Sequence, residues 1–91
     1  GVLIQTPENE NVTSVLAGTV VHVNYEIGNT YTMMVQHSNY LSVYRNIHRV
    51  LKRVGDAVRV GESIAIVGEQ PLWFELWQDG KPINPEEVIA F

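Results

Sequence analysis

Ninety-one residues, 45% of them hydrophobic and none a cysteine, fit one domain with one core and leave no disulfide, thiol nucleophile or thiolate metal site. A formal charge of −4 argues against a nucleic-acid partner, which needs clustered Lys and Arg to displace counterions, and the one basic cluster, residues 45–53, reads as a solvated strand face. No apolar run approaches the roughly 18 residues of a membrane span, and the first residues lack a charged-then-apolar leader, so the chain reads as a mature domain or one excised from a longer protein.

Residues 1–4 read as a short strand cut at its start, residues 6–11 (TPENEN) as a polar surface loop, residues 12–16 as a second strand, and Ala17-Gly18 as a turn. Residues 19–25 alternate, with Thr19, Val21, Val23 and Tyr25 on one face and Val20, His22 and Asn24 on the other. Gly28-Asn29 closes a hairpin onto an antiparallel strand at 31–37, and Ser38-Asn39 turns into a strand at 40–45, where Tyr40, Ser42 and Tyr44 oppose Leu41 and Val43. Residues 46–52 fit a helical turn as well as a bent strand and are read as irregular. Gly55-Asp56 and Gly61-Glu62 mark tight reversals, so residues 54–77 read as a β-hairpin unit in which residues 63–67 form a strand buried on both faces. Residues 72–77 place Leu72, Phe74 and Leu76 on one face and Trp73, Glu75 and Trp77 on the other, a carboxylate between two indoles. After a turn at 78–81, two prolines keep residues 82–85 out of any central strand, and Pro85-Glu86-Glu87 has the make-up of a helix's first turn. Short strands at this spacing give an all-β, single-domain antiparallel sandwich or open barrel.

Chemistry is sparse at this level. His22, His37 and His48 lack short ligand spacing and an adjacent carboxylate pair, which favours satisfied or surface histidines. Ser14, Ser38, Ser42 and Ser63 lack the glycine-flanked elbow that exposes a nucleophile, and a strand follows Gly61, so no helix N-terminus is offered to a phosphate.

The stretch VGDAVRVGESIAIVG, followed by LWFELWQDGKPINPEE, resembles the lysostaphin-like (LytM-type) zinc endopeptidases of peptidoglycan, as a degenerate member close to the EnvC-like murein-hydrolase activators. Upstream, VLAGTVV, Val35-Gln36-His37 and Ser42-Val43-Tyr44 fit the same family, so the resemblance covers residues 1–91 and implies one LytM-type domain of duplicated hybrid motifs, N-terminally truncated or excised. Where the family carries a zinc-binding Asp, this chain has Leu3, and the preceding His ligand falls before Gly1. Where the family reads H-L-H-F-E-L, Pro71 replaces a catalytic His and Trp73 a zinc-ligating one, while Asn46 stands at the remaining catalytic His. A hydrolytic zinc needs three protein ligands and an open position. The resemblance therefore implies a pseudo-peptidase with no metal or cofactor, in the periplasm or cell envelope. It also implies a former active-site groove, lined by Tyr44, Asn46, Trp73, Glu75 and Trp77, that contacts a cell-wall hydrolase such as an amidase, or peptidoglycan. Two alternatives stand beside it: Trp73 fills the vacated site as core in a purely structural domain, or the chain is a biotinyl/lipoyl-like hybrid-sandwich adaptor. The second lacks a modifiable lysine at Met33-Met34, Lys52 preceding the hairpin instead.

Overall fold

Each ladder of the sheet leads back to one long strand, β5 (Leu41–Val50), whose successive residues serve two different neighbours. The computed structural model describes residues 2–4, 10–14 and 16–84. Among these the other strands are β1 (Val2–Ile4), β2 (Asn11–Thr13), β3 (Gly18–Glu26), β4 (Thr30–Gln36), β6 (Ala57–Val58), β7 (Ser63–Val67), β8 (Leu72–Gln78) and β9 (Lys81–Ile83). They form one curled, wholly antiparallel sheet in the order β1-β8-β5-β4-β3-β6, with β2 on β7 and β9 on β8. The all-β reading holds, with no helix among the described residues. The expected helical turn at Pro85-Glu86-Glu87 and most of the 6–11 loop lie outside them.

The stretch read as irregular is a continuation of β5. Along one edge β5 keeps β4, while on the other it pairs with β8 from Leu41 to Arg45 and with β7 from Ile47 to Val50. The exchange happens at Asn46, which adopts φ 67°, a left-handed conformation that Asn tolerates better than branched residues. Its side chain closes the fork, since Nδ2 donates to the Pro71 carbonyl at 3.0 Å, between β7 and β8.

Two other expectations need correction. The alternation of β3 does not persist, because a bulge between Val20 and His22 resets its phase, so Val20 is fully buried and Val23 packs on the core while Val21 is exposed. The glycine-acid reversals are real, but the strands they flank do not pair with each other: β6 joins Gly18 and Thr19 of β3, and β7 joins β5 and β2. Each reversal is a four-residue turn with glycine third, Gly55 at φ 98° and Gly61 at φ 79°. In both the acid bonds the turn twice, Asp56 N–H to the Arg53 carbonyl and Asp56 Oδ2 from Arg53 N–H, then Glu62 with Arg59 likewise.

The inner face holds the core, which includes Val20, Met33, Val35, Ile64, Val67, Leu72, Phe74 and Leu76, each 5% exposed or less. The inward set of β8 is the one that alternation predicts. Burying a side chain of this size contributes about 1.5–3 kcal/mol. On the edge of β8 away from β5, β9 pairs with residues 76–78 and β1 with residues 72–74, which leaves only Glu75 between them without a partner on that edge. Both short strands run antiparallel to β8, so β9 ends where β1 begins.

Candidate functional site

Register places Trp73, Glu75 and Trp77 of β8 on the outer face, beside Arg45, Val43 and Leu41 of β5 and, on the other side, Leu3 of β1 opposite Trp73. Residues two apart on a strand are about 7 Å apart, so the two indoles flank the carboxylate. Glu75 Oε2 accepts from Trp73 Nε1 at 2.7 Å and from Arg45 Nε at 2.9 Å, and Oε1 accepts from Trp77 Nε1 at 2.9 Å. The Glu75 side chain is 14% exposed and that of Arg45 41%. Burial pushes the Glu75 carboxyl up, but the bonds from Trp77, Arg45 and Trp73 outweigh it and hold the group below the usual carboxylate range.

This arrangement lies between the two alternatives left open for Trp73. It is half-buried, as is Trp77, and the N–H of each is committed to Glu75, so neither is a core plug nor a bare aromatic. Tyr44 is a correction: at 1% exposed it packs in the core with its ring 5.3 Å from that of Phe74, because its parity on β5 turns it inward, and it lines no groove. Leu3 is 54% exposed, and Asn46 and Pro71 are half-buried and bonded to each other. The four singled-out positions thus come together as two neighbouring pairs, Leu3 with Trp73 and Asn46 with Pro71.

A cavity of about 220 Å³ opens beside Asn46, bounded by the β3–β4 hairpin tip, His48 and the 68–70 loop. A second of about 190 Å³ lies at the other end, between Trp77, Leu41 and Tyr40. Leu41 to Asn46 spans about 17 Å of extended chain, and this is the length of face between them. His37, off this face, is structural. Its Nδ1–H donates to the Ala17 carbonyl at 2.7 Å, and Nε2 meets Ser42 Oγ at 2.8 Å. Gly18 stands so close that an added Cβ would lie 2.3 Å from the Gln36 carbonyl oxygen. His22 and His48 are exposed. Arg45 is the site residue that sequence reasoning missed. Its alternation with Val43 and Leu41 put it on an outward face, but nothing local tied it to an acid 30 residues away.

The family model for peptidase family M23 matches residues 1–85. The chain belongs to peptidase family M23. Curated relatives of this M23 domain include a lipoprotein NlpD/LppB homolog of Pseudomonas aeruginosa, 33% identical over 98% of this chain and 32% of that protein. The murein hydrolase activator EnvC of Escherichia coli is 29% identical over 99% of this chain and 23% of its own length. The M23 domain thus spans a third or less of these relatives. Among solved structures, a chain of the SpoIIQ-SpoIIIAH pore forming complex superposes with a TM-score of 0.84 at 25% identity, covering 91% of this chain and 58% of that one. The LytM-type resemblance and fold read from the sequence are therefore borne out. At the positions that the resemblance would give to zinc ligands, the side chains present are not zinc donors. Leu3 is hydrocarbon, the Trp73 nitrogen is a donor already given to Glu75, and among the described residues no three of His, Cys, Asp and Glu converge.

Proposed function

We propose that this M23 domain is catalytically inactive and serves as a binding or regulatory module in cell-wall remodelling, contacting a hydrolase partner such as an amidase, or peptidoglycan, through its outer face. The observation that carries the reading is the pair of neighbours Leu3–Trp73 and Asn46–Pro71, which stand where the resemblance puts zinc ligands and catalytic histidines and offer none. What remains is a shallow face with two tryptophans between two cavities, suited to anchoring a partner. The relatives named for murein-hydrolase activation and as a lipoprotein support a cell-wall role and an extracytoplasmic location, as one domain of a longer protein. The half-burial of both indoles and their bonds to Glu75 favour a second, purely structural reading.

Protein purified without chelator is expected to hold no stoichiometric zinc and to release nothing from purified peptidoglycan. It is also expected to stimulate a cell-wall amidase, an effect that Trp73→Ala reduces. Stoichiometric zinc or peptide release refutes inactivity, and stimulation that ignores both Trp73→Ala and Trp77→Ala favours the structural reading.

A further inference from the structure

The two charges at the centre of the outer face are unequally available. Glu75 is 14% exposed and both its oxygens accept N–H groups, whereas Arg45 is 41% exposed and bonds through Nε alone. A guanidinium is planar, so fixing Nε on Glu75 also fixes the direction of the two terminal nitrogens. Among the described residues those nitrogens make no hydrogen bond. On a chain of net charge −4, the accessible charge here is positive and already oriented. Trp73 lies directly across from Arg45, and Leu3, 54% exposed, lies beyond it.

The geometry points to Arg45 as the recognition point for one carboxylate, an Asp or Glu flanked by apolar residues on a protein partner that lies along the outer face. The inference rests on the outer face being the binding surface. Charge complementarity selects the occupant. One forked guanidinium between apolar side chains matches a single carboxylate end-on, whereas a polyanion needs several cations in a row. The 17 Å or so between the cavities accommodates about eleven residues of helix at 1.5 Å each, with the acid near the middle, its apolar neighbours against Leu3 and the indoles, and a polar end in the cavity beside Asn46.

The test uses a phage-displayed library of random peptides about a dozen residues long, panned against the intact protein and counter-selected against Trp73→Ala and Trp77→Ala. Synthesised winners are titrated by tryptophan emission, which reports on this face because the chain's two tryptophans are both bonded to Glu75. Winners are expected to share an acid between apolar residues. Replacing that acid by its amide weakens binding about tenfold or more with wild type, and less than about twofold with Arg45→Gln, which keeps an N–H for Glu75. Arg45→Lys, which keeps the charge without the fork, falls between them. Winners that depend on the tryptophans but carry no common acid, or whose acid costs as much in Arg45→Gln as in wild type, overturn the role of Arg45 and leave the binding face standing. If no winner depends on either tryptophan, both readings fall.

Discussion

Burial alone lifts the Glu75 carboxyl above its ordinary range, and the N–H groups of Trp77, Arg45 and Trp73 reverse the sign. A carboxylate whose folded value is lowered contributes stability in full above the unfolded value near about 4.3, and that contribution disappears as pH falls through the folded value. Glu75→Gln is therefore expected to cost about 1–3 kcal/mol at neutral pH and to flatten the acid limb of stability, so that wild type and variant converge as pH falls through the lowered folded value. Urea unfolding from pH 7 to pH 2.5 checks both, and parallel curves would show that the carboxylate's ionisation is not linked to folding. The indoles answer a related question. Each is half-buried and makes one charge-assisted bond, so Trp73→Ala and Trp77→Ala each cost about 1–3 kcal/mol, below the roughly 3–5 kcal/mol of a fully buried aromatic such as Phe74. Guanidinium denaturation of all three alanine variants ranks them, and a Trp73→Ala loss equal to that of Phe74→Ala would mean that Trp73 is core.

Strand β5 owes its double pairing to one residue. Asn46 meets the turn between its two ladders with a left-handed backbone and a side-chain bond to Pro71, two separable contributions. Asn46→Gly keeps the backbone and loses the bond, so it costs about 1 kcal/mol. Asn46→Ala loses both and costs about 2 kcal/mol or more, an order that thermal unfolding of the two variants checks. Such features also mark what a sequence reveals about its fold. Strand β8 was readable because Leu72, Phe74 and Leu76 alternate cleanly with the outward set, and a period of two is a local property. The phase of β3 was not, because its bulge at Val21 answers to β4 and leaves no trace in composition. The pairing of β6 with Gly18 and Thr19 was equally hidden, since a two-residue strand does not announce its neighbour. At the site, Trp73, Glu75 and Trp77 could be placed on one face from alternation alone, and Leu3, Asn46 and Pro71 were singled out only through family resemblance. The inward position of Tyr44 and the reach of Arg45 to Glu75 depend on how β5 sits beside β8, which only the assembled sheet shows.

The whole molecule is stitched across long sequence separations, with Leu3 beside Trp73 and Arg45 bound to Glu75. Its outer face is accordingly a product of the complete sheet: β5 supplies the cation, β8 the carboxylate and indoles, and β1 the apolar flank. The gap opposite Glu75 has a further meaning. Because β9 runs into β1 along the same edge of β8, the backbone at Ile83 and that at Val2 lie about two residue positions, or roughly 7 Å, apart, like one strand with a residue missing. Joining Ile83 to Val2 through one or two residues and reopening the chain at Gly28, beside the fully exposed Ile27, is expected to give a circular permutant with the same β-sheet circular dichroism and a melting temperature within about 10 °C of the parent. A permutant that cannot fold would show that the two edge strands must stay unlinked. If it folds, the domain is one that a host protein can carry inside a surface loop, entering and leaving along a single sheet edge.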